Sequence, residues 1–413
     1  MIRTHAFPCH LKRAEADALN RESGRLYTQT LVWHYRIYRR KGIWLSPAAS
    51  ERFGDALSDT PLHAHSRDAA QQSFSKACKT AKVNRNLGNK YPHKRKFYRT
   101  TIWKDSGIRL QSGTLRLARA RGLSPVITEL PEHLNHLPAE AFREMRLVYN
   151  PSARQYDWHL VVEDGAPPHP PPGQQTLAID LGEIHPMAVA NDKGQTLIVT
   201  ARQLRSLNRY RNKRLGAFSR QQAAKVKRSR SWKRLQRRKN KFLAKNERQR
   251  RDIEHKITRA VVNHAVAEKA GRVVVGDIRD IAKGQRLNRQ SQQKLGNWSH
   301  GQQVEYLTYK LEAAGIILER QREAYSTQTC PKCGALHKPK GRTYRCPGCG
   351  FVAPRDSVGA CNQESQALFN RFGHVVPIST KYLRCFNNRS SRVDTAQVAR
   401  ADSGHESLEA AGL

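Results

Sequence analysis

The hydrophobic pattern changes period several times along the chain, and each change predicts an element. From Leu11 to about Arg40, Leu19, Leu26, Thr30, Trp33 and Ile37 recur at steps of three, four and seven among helix formers, which predicts a long helix. A second helix is predicted over Ser66–Lys82, with Ala70, Phe74, Ala77 or Cys78, and Ala81 on one face. Clusters of Gly, Pro and Asn between and after them read as loops. Met145, Leu147 and Tyr149 then alternate with polar residues, Asn150-Pro151-Ser152 turns the chain, and Tyr156, Trp158, Leu160 and Val162 alternate back. That is a hairpin with one buried face. Residues 1–10, roughly 100–120 and 145–162 are thus available for a small β-barrel into which the helical segment, about 11–82, is inserted.

The run Pro167-Pro168-His169-Pro170-Pro171-Pro172-Gly173 supports neither strand nor helix and reads as a stiff linker. It separates a domain over 1–166 from a second over 174–370. The second opens with Thr176-Leu177-Ala178-Ile179-Asp180-Leu181-Gly182, an apolar strand that ends at a carboxylate. Strands over 185–190 and 196–199 follow, with a turn at 191–194. Three antiparallel strands with an Asp on the first open an RNase-H-like fold, although strand-Asp-x-Gly also occurs in sugar kinases and actin-like ATPases. Long helices are predicted from 204 to 266, stopped by Gly271, before a buried strand over 272–278. A helix from Ser299 to Ala314 is closed by Gly315, and Ile316 starts another strand. The fold class is therefore α+β and multidomain.

Charge narrows the function. The 413 residues hold 74 Lys and Arg against 34 Asp and Glu, a formal +40, which calls for a polyanionic partner. A membrane surface is disfavoured, since no apolar run approaches a spanning length and the start has no signal-peptide pattern. Cys9, Cys78, Cys361 and Cys385 are scattered, as expected of thiols in a reducing cytoplasm. Residues 201–251 contain 21 Lys or Arg and one acid, Glu247. This predicts a helical hairpin with a cationic face, including Arg234, Arg237, Arg238, Lys239 and Lys241, that binds nucleic-acid phosphates. Lys90–Arg99 alternates bases with rings. Lys94, Arg95 and Lys96 beside Phe97 and Tyr98 suit a single strand or a duplex edge, and equally an exposed basic loop with its rings in a core.

Two chemistries remain. Cys330, Cys333, Cys346 and Cys349 form two Cys-x-x-Cys knuckles with twelve residues between them, the spacing of a four-thiolate Zn²⁺ site in a ribbon at about 326–350. The Pro and Gly of each knuckle let backbone N–H groups face the sulfurs. Asp356 follows after six further residues, so the ribbon looks like an insertion that delivers a carboxylate. Asp180, Asp277, Glu323 and Asp356 all sit at or near strand ends, and converging carboxylates are what two Mg²⁺ ions need to hydrolyse a phosphodiester. Any one of them taken alone is more economically a surface acid or an arginine's partner.

The order of LAIDLG (177–182), RDIEHKITR (251–259), VVVGDI (273–278), LGNWS (295–299), AYSTQTCPKCG (324–334) and RDSVGACN (355–362) resembles the transposon-encoded RNA-guided nucleases of the TnpB (OrfB) type. It is also similar to the compact type V CRISPR effectors related to them. The resemblance covers about 174–362 and, more loosely, the N-terminal layout. It implies a wedge-like barrel with a helical recognition insert, then a RuvC-type nuclease domain with an inserted zinc ribbon, bound to a guide RNA and cutting double-stranded target DNA. One position departs from the pattern. The catalytic Glu that the family carries next to the acid of this strand is Gly276 here. Asp277, one residue on, would face the opposite side of a continuing strand. Glu323, at the end of the neighbouring strand, is the preferred replacement, giving Asp180, Glu323 and Asp356 as catalytic acids with Asp277 as second choice. A nuclease-dead RNA-guided DNA binder and a DNA transposase are the rival readings. Residues 364–413 carry no motif, and 371–413 reads as a disordered tail.

Overall fold

A computed structural model describes residues 2–55, 59–151, 153–163, 169–279, 286–384 and 394–399, with only the backbone described at 53–55 and 394–399. The chain divides into two compact units, residues 1–167 and 168–413.

In the first unit, strand β1 (Ile2–Pro8) is followed by helices α1 (Arg13–Lys41), α2 (Pro47–Asp55) and α3 (Ala64–Val83). Then come β2 (Thr101–Lys104), β3 (Ile108–Gln111), β4 (Thr114–Leu117), β5 (Val126–Glu129), β6 (Phe142–Asn150) and β7 (Gln155–Glu163). The alternation read from the sequence pairs β6 with β7, Leu147 opposite Trp158. The strands form two sheets, β1-β7-β6-β2 and β3-β4-β5, rather than one ring. The reason is local: a tight turn at Asp105–Gly107 redirects the chain after β2, so that β3 pairs forward with β4. Both sheets share a core of Trp103, Leu115, Leu117, Met145, Leu147, Trp158 and Leu160, into which α1 inserts Leu19 and Leu26. On α3 it is Cys78 rather than Ala77 that is buried, beside Phe74, Tyr27 and Leu31. The short helix α2 had no signal in the sequence, because nine residues hold too few turns for a legible period.

In the second unit, β8 (Gln175–Leu181), β9 (Met187–Asn191) and β10 (Gln195–Thr200) are antiparallel neighbours. Next come α4 (Arg202–Ala223), α5 (Arg230–Ala267), β11 (Ala270–Asp277), α6 (Arg289–Asn297), α7 (His300–Ala313) and β12 (Ile317–Arg322). The ribbon strands β13 (Thr343–Arg345) and β14 (Val352–Pro354), helix α8 (Arg355–Phe369), β15 (Ser379–Arg384) and β16 (Asp394–Ala399) complete it. The main sheet runs β12-β11-β8-β9-β10-β15-β16, with β11 parallel to both β8 and β12. Alternation sends Leu177, Ile179, Met187, Val189, Val273 and Val275 into a core with Ile257, Val261, Leu307 and Leu311 of α5 and α7. The other face carries Ala188 and Ala190, against which α8 lays Ala360 and Cys361. Small residues on both sides let the helix approach closely.

Two expectations need correction. Helix α5 ends at Ala267, where the chain reverses through Lys269 in the left-handed region, and Gly271 already lies in β11. The supposed tail is not structureless. Residues 379–384 pair parallel with β10, and Thr380 joins Thr196 and Ser357 in a buried hydroxyl cluster at 2.9–3.0 Å. Six residues between polar neighbours announce no strand until an open sheet edge supplies a partner. Asn387 to Arg392 and Cys385 lie outside the described residues.

Helix α8 also buries Glu364 completely, with no well-formed hydrogen bond to either carboxylate oxygen. Burial, reinforced by Asp192 and opposed by Arg272 and the backbone at Ala178, pushes this carboxyl from its ordinary 4.5 up to about 8. The folded state therefore holds a proton that the unfolded chain releases, and this stability, full below about pH 4.5, is lost as pH rises towards 8. Glu364→Gln should consequently raise the stability near pH 8 by on the order of a few kcal/mol, and the melting temperature with it, and change little near pH 5. Melting curves of the two proteins across this window would refute the assignment if their difference did not vary with pH.

Candidate active site

Asp180 is the penultimate residue of β8, and the preceding Ile179 pairs with Val275 of β11. Asp180 and Gly276 are thus the next residues of two parallel strands and share the α8 face. Gly276 pairs in turn with Gln321 of β12, whose amide donates to the Gln363 carbonyl of α8 at 2.7 Å. Glu323 stands two residues beyond Gln321, on that same face by alternation.

What fills the position of the missing side chain is Glu323 itself. A Cβ built on Gly276 would lie 2.5 Å from Glu323 Oε2 and 3.1 Å from its Cδ. The glycine therefore vacates the volume that the glutamate occupies. Asp180 is packed equally tightly from the other side, since a Cβ on Gly359 of α8 would lie 2.6 Å from Asp180 Oδ2. Both acids are starved of donors: Asp180 Oδ1 and Glu323 Oε2 are buried without a hydrogen-bond partner. Burial raises Asp180 well above the usual carboxylate range, with Glu323 and Asp356 adding like-charge repulsion and Arg355 opposing them. Burial, then Asp277, pushes Glu323 up to about 7.

Asp356 opens α8. Arg342 of the ribbon donates to its Oδ2 at 3.0 Å, and His185 Nε2 lies 3.9 Å from the same oxygen. Burial lowers the pKa of His185, so a neutral imidazole stands beside this carboxylate. Asp277 is placed differently. Its carboxylate takes a forked pair of hydrogen bonds from Arg279, at 2.9 and 2.5 Å, which holds it down at about 2. The structure thus brings Glu323 and Asp356 each into electrostatic range of Asp180 and ties Asp277 to an arginine. The three acids do not gather as tightly as the four cysteines, which are the set among the described residues whose donor atoms all lie within 4.8 Å of one another.

In the ribbon, Cys330 and Cys349 sulfurs are 3.7 Å apart and those of Cys333 and Cys346 3.5 Å. A disulfide would need about 2.05 Å. Zn–S bonds of about 2.3 Å in a tetrahedron put the sulfurs roughly 3.8 Å apart, so the thiols fit Zn²⁺. Backbone N–H groups of Lys332 and Cys333 face Cys330, and those of Gly348 and Cys349 face Cys346. The ribbon is welded to the acids. Its small core of Cys330, Tyr344, Cys346 and Ala353 includes Val358 of α8, and Asn362 of α8 donates to the carbonyls of Ser326 and Thr329 at 2.7 and 2.8 Å.

Helices α4 and α5 form the cationic hairpin, joined by Phe218 against Phe242 and by a hydrogen bond at 2.8 Å from Gln222 Nε2 to Gln236 Oε1. Arg234, Arg237, Arg238 and Lys241 are exposed and Lys239 half-buried. None of the five makes an ion pair among the described residues. Helix α6 had no signature in the sequence; with α4 it walls a cavity of about 650 Å³ lined by Arg205, Arg209, Lys213 and Lys294. Glu183, three residues past Asp180, closes one side through a 3.1 Å ion pair to Arg205. His185, Arg342 and Gly359 were likewise missed, since each matters only through a contact distant in sequence. In the first unit, Lys94, Arg95 and Lys96 are exposed on a segment without regular structure. Among the described residues no helix is long and apolar enough to cross a membrane.

Comparison with known proteins adds family relationships. Residues 159–282 match the OrfB_IS605 family, "Probable transposase", and residues 300–363 match the family "Cas12f1-like, TNB domain". Over 114 residues the chain is 30% identical to the CRISPR-associated endodeoxyribonuclease Cas12f1 of Sulfoacidibacillus thermotolerans, an alignment taking in 26% of this chain and 25% of that protein. The match thus spans about a quarter of that relative's length. The cryo-EM structure of a Cas12f1–sgRNA–target DNA complex has a similar fold, with a TM-score of 0.54 at 13% identity over 84% of this chain and 82% of that one. The chain therefore carries a segment that matches the OrfB_IS605 family, followed by one that matches the Cas12f1-like TNB family, on a fold similar to that of Cas12f1.

Proposed function

We propose that this protein is an RNA-guided DNA endonuclease whose RuvC-like site uses Asp180, Glu323 and Asp356, with a structural Zn²⁺ on the four cysteines. On this reading the first unit is the wedge and recognition part and the second the nuclease domain. The observation that carries the proposal is Glu323 filling the space left by Gly276 beside Asp180, each with a buried oxygen lacking a donor. Buried carboxylates crowded in this way either hold protons or face a hard cation, and oxygen-only donors suit Mg²⁺. Two such ions, when bound, would stabilise the attacking and leaving oxygens of a phosphodiester. The chain's part is to fix the acids. Gly359 admits Asp180 against α8, Arg342 and His185 orient Asp356, and the turn after β12 aims Glu323 back at position 276.

Guide RNA and target DNA come from the likeness to Cas12f1, whose complex holds an sgRNA and target DNA, and from the unpaired cations of α5. The purified protein is expected to carry one abundant structured RNA. Sequencing that RNA and offering DNA that matches its variable end should yield Mg²⁺-dependent cuts. A random sample of cellular RNA would sink the guided reading, and tight guided binding without cutting under any metal would favour the inactive binder. Neutralising Arg234, Arg237, Arg238, Lys239 and Lys241 together should flatten the salt dependence of binding by roughly four in log–log slope, about 0.7–0.9 for each phosphate that is no longer neutralised. An unchanged slope would remove this face from the nucleic-acid path.

A further inference from the structure

Residues 91–99 have no regular secondary structure, yet they are fastened along most of helix α1, running opposite to it. Tyr35 Oη donates to the Pro92 carbonyl at 3.0 Å. Thr28 Oγ1 donates to the Lys96 carbonyl at 2.8 Å and accepts from the Lys96 N–H at 3.0 Å. At Gly24 a Cβ would lie 2.6 Å from the carbonyl carbon of Phe97, so only glycine lets the segment lie this close. Arg21 Nε donates to Tyr98 Oη at 2.8 Å, and the Arg99 N–H donates to the Asn20 carbonyl at 3.0 Å. As the segment advances from 92 to 99, its partners retreat from 35 to 20. It is a strap with a fixed backbone.

A fixed backbone makes its outward side chains informative. Phe97 is 81% exposed and makes no ring contact among the described residues, on a segment pinned on both sides of it. Lys94, Arg95 and Lys96 precede it, exposed and without ion pairs among the described residues. Behind the strap lies a cavity of about 350 Å³, lined by Lys96, Tyr98, Arg99 and Tyr149 over a floor of Ala70 and Ser73. The rings of Tyr98 and Tyr149 are inclined by only 30°, with centroids 6.4 Å apart. Arg99 is half-buried over Tyr27, 4.1 Å from the ring centroid, and has no carboxylate partner among the described residues. None of the described residues that line the cavity is acidic. A partner protein's apolar face would meet a single phenyl group in a field of cations. Bases and phosphates together satisfy every group present.

We propose that the strap and the cavity behind it are a site for an unpaired nucleotide: one base enters beside Tyr98 and Tyr149, Phe97 stacks on its neighbour, and Lys94, Arg95, Lys96 and Arg99 take the phosphates. This rests on the reading of the protein as a nucleic-acid binder and adds what the first unit selects, a strand with an unstacked base rather than a continuous duplex. Base–aromatic stacking tolerates any sequence, because every base has a π-face.

The test is equilibrium binding of the full-length protein to single-stranded DNA, single-stranded RNA and duplex DNA of one sequence and length. Phe97→Ala should weaken single-strand binding by about tenfold, the loss of one stacked base, and leave the duplex affinity and the salt slope unchanged. Phe97→Trp should restore it. Replacing Lys94, Arg95 and Lys96 with glutamine should instead flatten the salt slope by roughly two. Loss on the RNA probe alone would assign the site to the guide, and loss on the DNA probe alone to an opened target strand. Phe97→Ala binding single strands like wild type, or losing duplex affinity equally, would overturn the proposal. Because the readout is binding, a protein that keeps this discrimination but never cuts would count against the nuclease reading alone.

Discussion

Glu323→Ala is expected to abolish Mg²⁺-dependent cleavage as completely as Asp180→Ala or Asp356→Ala, while binding of RNA and target persists. A carboxylate that holds a metal removes the ion when it is lost, a larger effect than one hydrogen bond. Asp277→Ala should only reduce the rate, because its charge raises Glu323 from a distance while its own oxygens are committed to Arg279. The decisive variants concern the shared volume. Gly276→Glu alone should impair the enzyme, since its Cβ would come within 2.5 Å of the Glu323 carboxylate and one of the two side chains must be expelled. Gly276→Glu combined with Glu323→Ala should recover activity, by returning an acid to the same space from the other strand. Cleavage rates measured with saturating guide and target would decide it. Full activity in Glu323→Ala with none in Asp277→Ala would reverse the assignment, and failure of the double variant to exceed Glu323→Ala would show that the acid must arrive from β12.

The second large effect is expected from the ribbon. The protein should bind about one Zn²⁺ per chain, and Cys330→Ser with Cys333→Ser should lose it. In a site this small the binding free energy is folding free energy. The core of Tyr344, Cys346, Ala353 and Val358 should then loosen, and with it the start of α8. Arg342 would no longer present its guanidinium to Asp356, and the turn held by Asn362 would lose its footing just after Glu323. Cleavage should fall with the zinc, whereas RNA binding by α5, which packs on α4, α7 and the main sheet, should remain. Metal analysis, limited proteolysis across 326–350 and cleavage assays on the same preparation test the chain of effects. Soluble, active protein without zinc would break it at the first link.

Much of this was legible in the chain itself, for a physical reason that can be stated element by element. Ligand spacing within the knuckles is local, so Cys330, Cys333, Cys346 and Cys349 announce a four-thiolate site before any coordinates exist. Periods of two and 3.6 are local as well. They predicted the β6–β7 hairpin, the strand carrying Asp180 and the long helices α1 and α5, because one buried face repeats over many residues. Alternation along the strand predicts that Asp277 faces away from position 276; in the structure its carboxylate accepts from Arg279. The short helices α2 and α6 and the strand β15 escaped, since six to nine residues carry too little periodicity to read.

What the sequence by itself determined, then, is which residues are chemically equipped: the thiols, the acids at strand ends and the cations of 201–251. The tertiary structure decided which of them meet. The resemblance already names Glu323 as the replacement for position 276, but nothing along the chain says that Gly359 makes room for Asp180 or that Arg342 holds Asp356. The tertiary structure also settled whether Phe97 is core or display, an equal choice on the sequence, because exposure depends on how the strap lies against α1. These are contacts between residues far apart in sequence. They follow from strand register, helix approach and the volume left by an absent side chain, none of which has a period that a chain can show before it folds.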